Sequence, residues 1–391
     1  MPAAAMLRRG AAPAGRPEAV LLPTKPHVCF VAPHAWPVFS RDTRIQVVGG
    51  AEVQQSLLAR LLAAHGYRVS MITLDYGQPH RAVVDGVTVH KAFAPDAGAP
   101  VLRFVHPRLS SMWRAFGEVD ADLYYYRSSA MWLGVLTEFC RRHGKRSVYA
   151  GASDMDFEPR TGGQLRYARD RWLYRRGLAR VDRIVAQNEV QSASCLANYG
   201  REAQVIPSCY QLPESRNFPG RESQKNVVLW VGTIHENKRP ELLFELAARL
   251  PRRRFVAIGG PRAGAAAYFE RVRAQAARLP NLEFKGFLPL AEVEGWFDGA
   301  AALINTSVYE GMPNTFLQAW ARGVPTVATV DVGAPVHRVA RDVDALVREL
   351  ESAMDDALLR ERCREYFERT HSPAAALERY ARLFDELHPP A

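Results

Sequence analysis

Glu310 stands immediately before a Gly-Met-Pro-Asn corner, and Gln318 follows eight positions later in a segment of helical composition. The run "AALINT" ahead of them reads as a strand. Pro313 suits the first turn of a helix, Gly323 its left-handed C-terminal position, and Pro325 prevents continuation. Glu310 is therefore expected on a strand-to-helix corner and Gln318 within the helix. Backbone amides at such a corner, aided by the helix dipole, can hold an anion such as a phosphate group. A capped surface helix would carry the same residues.

Other positions offer related chemistry. Lys238 follows the apolar run "NVVLWVG" and places a cation where a strand gives way to a helix, although a solvated charge is the plainer reading. Gly49 and Gly50 open "GGAEVQQSLLARLL", where glycines let backbone amides approach a phosphate or simply make a turn. Ser153, Asp154 and Asp156 follow "RSVYAG" and suit either a ligand or a helix N-cap. "IGGPRAG", residues 258–264, lacks the spacing of a dinucleotide-binding Gly-x-Gly-x-x-Gly and is expected to be the turn after a strand. On a helix expected from Leu165 to about Arg183, the residues Arg166, Arg169, Arg176, Arg180 and Arg183 share a narrow arc, with Tyr167, Tyr174 and Leu178 roughly opposite. Such a face is either solvated or meets an anionic membrane or lipid diphosphate. Near these motifs no His, Asp or Cys cluster has metal-ligand spacing.

The elements that must position these residues alternate along the chain. "HVCFVA", "RVSMITL", "GVTVHKAF", "DLYYYR", "RSVYAG", "RIVAQ" and "AQVIP" read as strands, most of them separated by amphipathic segments. Around residues 207–225 the periodicity stops, with three prolines and mixed charge, as in a domain linker. It then resumes: strands "NVVLWVG", "RFVAIGG", "NLEFKG" and "AALINT" alternate with helices that include 264–278 and 290–299. The expected organisation is a leader over 1–24, an α/β domain over 25–206, the linker 207–225, a second α/β domain over 226–340 and C-terminal helices over 341–391. Two doubly wound domains leave a crevice between them, a usual ligand site.

Composition narrows the classes. A chain of 391 residues exceeds one comfortable core, and 48% apolar with 24% charged residues is ordinary for a globular protein. The net charge of +10 favours anionic partners. Five scattered cysteines without a Cys-x-x-Cys pair suggest free thiols in a reducing, cytoplasmic setting. The opening apolar runs are too short for a signal peptide core, and no uncharged run reaches the ~18 residues that span a bilayer, so membrane contact would be peripheral.

"EGMPNTFLQAWARGVPTVAT" resembles the signature of retaining glycosyltransferase family 4, whose fold is GT-B: two Rossmann-like domains facing across a cleft. In that family a Glu contacts the donor sugar and a second Glu, after seven residues, bonds the nucleotide ribose. Glu310 matches the first, and Gln318 stands at the second. "WVGTIHENKRPELLFELAARLP" resembles the segment where an Arg and a Lys five apart grip the donor diphosphate. Lys238 matches the Lys, Thr233 stands at the Arg position, and Arg239 is a partial replacement. "VGGAEVQQSLLARLL" resembles the family's Gly-Gly-x-Glu turn, and Asp154 lies where members present a polar group to the transferring sugar. The family's Gly-rich donor loop is not recognisable after Thr329, where "VDVGAPVHRVARDVDA" stands.

The resemblance implies donor contacts from Gly49, Gly50, Gly232, Lys238, Arg239, Glu310, Gly311, Met312, Pro313, Asn314 and Gln318, with Glu310, Lys238 and Asp154 as the catalytic set. It implies a metal-independent, retaining transfer from a nucleotide-sugar donor to a glycan or lipid-linked acceptor, with no cofactor and no nucleic acid. The alternative is a catalytically silent nucleotide-sugar-binding subunit. A nicotinamide oxidoreductase is disfavoured because "VAPHAWPVF" follows the first strand where a Gly-rich turn would be needed.

Overall fold

The computed structural model describes residues 25–40, 49–99, 103–159, 165–213, 226–262 and 264–389. The expected leader 1–24 and the linker stretch 214–225 lie outside them. In the N-terminal lobe eight strands are ordered β3-β4-β2-β1-β5-β6-β7-β8. They are β1 Val28–Val31, β2 Val69–Thr73, β3 Arg81–Val84, β4 Val87–Lys91, β5 Leu123–Arg127, β6 Arg146–Ala150, β7 Arg183–Ala186 and β8 Gln204–Val205. All neighbours pair in parallel except β3, which runs antiparallel to β4. Asp85 and Gly86, both at positive φ, form the two-residue turn between them.

Six parallel strands form the C-terminal lobe in the order β11-β10-β9-β12-β13-β14. They are β9 Val227–Val231, β10 Arg254–Ile258, β11 Leu282–Gly286, β12 Ala300–Asn305, β13 Thr326–Ala328 and β14 His337–Val339. The strand order reverses between β9 and β12, so the loops leaving their C-terminal ends diverge and open the crevice where ligands of such sheets bind. Helices cover both faces of each sheet, which is why most of the central strands read as unbroken apolar runs. Val28 and Phe30 pack into one N-lobe core, Cys29 and Val31 into the other. All five cysteines are buried and unpaired.

The chain crosses between the lobes twice. The first crossing, which includes residues 207–210, is buried rather than an exposed linker: Ser208, Cys209 and Tyr210 are 3%, 5% and 6% exposed. The second follows the helix Ala357–Thr370, after which the helix Pro373–Leu387 returns to the N-terminal lobe. There Tyr380, Leu383 and Phe384 join Phe30 and Tyr125 in one core.

The basic helix is shorter than its charge pattern. It runs Ala168–Arg180, with Arg166 ahead of it and Arg183 already on β7, where ladder pairing overrides the helical spacing. Tyr174 and Leu178 are buried as expected, whereas Tyr167 and the neighbouring Trp172 are 55% and 59% exposed. Arg176 and Arg180 turn toward Glu138 on the helix Trp132–His143, so part of the arc is internally neutralised.

Candidate functional site

Lys238 ends a one-turn helix, Glu236–Lys238, in the loop after β9, and Glu310 lies in the loop after β12. Because β9 and β12 are sheet neighbours, the two loops are stitched together: Val308 N–H donates to Asn237 O at 2.9 Å, and Thr306 Oγ1 to Lys238 O at 2.5 Å. Lys238 Nζ then reaches Glu310 Oε1 in an ion pair whose side chains are 20% and 15% exposed. The same oxygen accepts Ser307 Oγ at 2.5 Å and Asn305 Nδ2 at 3.3 Å. Glu310 is thereby held at a fixed position with its charge half-matched by a cation that a phosphate can also recruit. Burial and the nearby Arg262 and Lys238 charges lower the His235 pKa to about 4, so its imidazole stays neutral beside the pair.

Across the cleft Asp154 begins a short 3-10 helix, Asp154–Phe157, after β6. Its Oδ1 accepts Gln191 Nε2 at 2.9 Å. Burial raises its pKa, the Gln191 bond opposes this, and the charges of Asp156 and Glu310 add to the rise. The other two acidic-turn candidates have local duties. Ser153 and Asp156 form a reciprocal capping box, with Asp156 Oδ2 accepting the Ala152 and Ser153 amides at 2.7 and 3.2 Å. Asp156 is fully buried and also bonded by Ser129, whereas the Asp154 carboxylate is bonded by Gln191 and feels the charge of Glu310.

The corner 310–314 presses against the N-terminal lobe. A Cβ on Gly311 would lie 2.4 Å from Gln187 Oε1 and 2.8 Å from Ala152 O, so only glycine fits. Met312 N–H donates to Gln187 Oε1 at 3.0 Å. Pro313 is the N-cap of the helix Asn314–Trp320, and Asn314 bonds Gly50 O at 3.2 Å and accepts from Gln54 Nε2 at 2.8 Å. Gly50 thus meets the corner directly, and Gly49 beside it is the extended N-cap of the helix Gly50–Ala64. Gly232 sits at the start of the Lys238 loop, its carbonyl so close to Gly259 that a Cβ there would fall 1.9 Å away. Gly259 and Gly260 of "IGGPRAG" accordingly lie in the loop after β10.

Two of the expected donor contacts have partners within the C-terminal lobe in this structure, Arg239 and Gln318. The Arg239 backbone is left-handed at φ 41°, and its guanidinium bonds Thr306 O, Ser307 O and Thr329 Oγ1 at 2.8, 3.2 and 2.8 Å. Gln318 is turned into the C-terminal lobe. It is 5% exposed and donates to Glu294 Oε1 at 2.7 Å. Gln54 and Gln187 were not singled out in the sequence: Gln54 lies in the Gly-Gly-x-Glu stretch, but the chemistry there pointed to the glycines, and Gln187 only ends a strand-like run. Among the described residues no group of three or more His, Cys, Asp and Glu could hold a metal, and no helix is long and apolar enough to cross a membrane.

Two Rossmann-like lobes facing across a cleft, with the candidate residues gathered there, define the GT-B class of sugar-transferring enzymes. The description "Glycosyltransferase Family 4" matches residues 48–211, and "Glycosyl transferases group 1" matches residues 225–360. The chain belongs to this family of group 1 glycosyltransferases. A comparison with curated proteins found no match. Among solved structures, sucrose-phosphate synthase from Thermosynechococcus elongatus superimposes with a TM-score of 0.74 at 16% identity, covering 94% of this chain and 100% of that one. HepE from Anabaena, in complex with UDP and glucose, gives 0.68 at 14% identity over 92% and 100%. The lipopolysaccharide outer core galactosyltransferase WaaB gives 0.62 at 15% identity over 92% and 99%.

Proposed function

We propose that this glycosyltransferase moves a hexosyl group from a nucleoside diphosphate sugar to a glycan or lipid-linked acceptor, with retention at the anomeric carbon and without a metal ion. The observation that carries this reading is the Lys238–Glu310 pair at the ends of β9 and β12, across from Asp154. Lys238 stands where negative charge grows as the diphosphate departs, and stabilising such charge is commonly the largest catalytic contribution. Glu310 positions the sugar rather than attacking it, and Asp154 lies on the acceptor side. The Gly49–Gly50 helix start and the 310–314 corner complete the donor contacts, the Met312 amide itself being engaged by Gln187. The protein works in the cytoplasm, peripherally at an anionic membrane, through Arg166 and Arg169 with the exposed Trp172 and Tyr167 beside them.

Gln318 and Thr233, which replace the family's Glu and Arg, favour a second reading: a nucleotide-sugar-binding subunit without turnover. One experiment separates the two. A thermal-shift panel of nucleoside diphosphates and nucleotide sugars, beginning with the uridine series on the precedent of the HepE complex, identifies the donor. A ligand at ~100 times its Kd stabilises by roughly 2.7 kcal/mol. Donor hydrolysis and transfer are then followed by NMR with and without excess EDTA. Binding without turnover selects the silent subunit. Turnover abolished by EDTA and restored by magnesium defeats the metal-free reading.

A further inference from the structure

Two buried glutamines each join one residue of the hinge to one residue of the donor-side corner. Gln54, 5% exposed, donates from Nε2 to Cys209 O at 2.7 Å and to Asn314 Oδ1 at 2.8 Å, while its Oε1 accepts the Cys209 amide at 3.1 Å. Gln187, 4% exposed, donates to Ser208 Oγ at 3.0 Å and accepts the Met312 amide at 3.0 Å. Adjacent hinge residues are thus coupled, through one side chain apiece, to the two residues that flank Pro313. Gln187 Oε1 also accepts from Gln191 Nε2 at 3.1 Å, and that same nitrogen donates to Asp154 Oδ1. The buried Arg127 secures the far end by donating to Ser208 Oγ at 3.0 Å.

We propose that Gln54 and Gln187 are positioning residues that form an amide clasp, setting the separation of the lobes and, with it, the placement of Glu310 opposite Asp154. Glutamine suits the task because donor and acceptor sit on one terminal group, so one side chain serves hinge and corner together. Uncharged hydrogen bonds exchange with water at little net free energy, so the clasp can release and re-form as the cleft opens and closes. The Met312 amide reports its state directly, since it is bonded to Gln187 when closed and faces water when open.

The test uses the full chain, first with no ligand. Residue-resolved hydrogen exchange is expected to show Met312 N–H protected in the wild type and at least 10-fold faster in Gln187→Met, with β1 and β9 unchanged. Small-angle scattering is expected to show a larger radius of gyration for the Gln54→Met/Gln187→Met protein. With the donor identified by the nucleotide panel, kcat should fall at least 10-fold while affinity for the nucleoside diphosphate stays within about 2-fold, a split that mere loss of fold does not give. A wild-type Met312 amide exchanging at the unprotected rate overturns the clasp, as does a folded double variant with wild-type scattering and kcat. Should the variants fail to fold, the wild-type exchange rate decides alone. The kinetic arm rests on the transferase reading; the exchange and scattering arms do not, so either idea can fail while the other stands.

Discussion

Gln318 gives its amide to Glu294, whose other carboxylate oxygen already accepts Tyr210 OH at 2.5 Å and Arg322 Nη2 at 2.8 Å. A family-like glutamate at 318 would therefore set a second carboxylate against a buried one. Gln318→Glu is expected to destabilise by about 2–4 kcal/mol at pH 8. The new carboxyl would have a raised folded pKa, so the loss grows as pH rises above the unfolded value near 4.3 and shrinks toward pH 5 and below. Urea unfolding at pH 5 and pH 8 measures this. A variant as stable as wild type at pH 8 that also binds nucleotide more tightly would return residue 318 to the ribose.

On the proposed mechanism, Lys238→Ala removes the cation that matches Glu310 and would face the departing diphosphate. Turnover is expected to drop by ~100-fold or more, with weaker nucleotide binding. Arg239 cannot take over, since three oxygens hold its guanidinium. Donor saturation kinetics and calorimetry on the same preparation decide. Changes within about two-fold in both would place Lys238 outside the donor site.

Gly311→Ala drives a methyl group toward Gln187 Oε1 and the backbone carbonyl of Ala152. A side chain can turn aside, but the Ala152 carbonyl, in the loop just after β6 with its own amide held by Asp156, has little room to move, so the lobes must part. Turnover is expected to fall at least 10-fold with the thermal midpoint lowered by only a few degrees, about 1 kcal/mol. Wild-type kcat in a folded Gly311→Ala protein would show that the corner and the 151–154 loop separate before chemistry.

Acid should loosen the hinge through His371. Its Nδ1 bonds Ser208 O at 2.7 Å, so this nitrogen carries the proton, while the buried Nε2 has no partner among the described residues. Burial accordingly lowers its pKa to about 4. A histidine with a depressed folded pKa contributes stability above its unfolded pKa of about 6.5 and loses it as pH falls toward 4. Its share of the loss between pH 7.5 and pH 5 is about 2 kcal/mol. His371→Asn, which keeps a donor for Ser208 O, should flatten the urea-midpoint profile by that amount; an unchanged profile would assign the acid sensitivity elsewhere.

The fold was legible because strands covered on both faces need continuous apolar runs, and "VCFV" or "VVLWV" leave little else to be. β3 escaped notice although Asp85-Gly86 is a hairpin signal, since "RAVV" is only four residues long and exposed along one face. Lys238 and Glu310 could be nominated from their motifs, but their meeting depends on β9 lying beside β12, which is a property of strand order. The partners of Arg239 were not legible, because spacing counts residues while the left-handed backbone decides where a side chain points. Gln54 and Gln187 left no trace: an amide on a helix or at a strand end acquires meaning only from what the opposite lobe brings to it.

The returning helix Pro373–Leu387 carries a consequence for the order in which the protein can be made. Tyr380, Leu383, Phe384 and Leu387 supply part of the core around Phe30, Tyr67 and Tyr125, and burying each such side chain stabilises by roughly 1.5–3 kcal/mol. During synthesis the N-terminal strands emerge well before that helix exists, so their sheet carries an uncovered apolar face throughout translation of the second lobe. The first domain to be synthesised is therefore completed only after the second lobe has been made, by the docking of this helix. A nascent chain stalled before residue 373 would present that face to chaperones as a wound that only its own C-terminal helix can close.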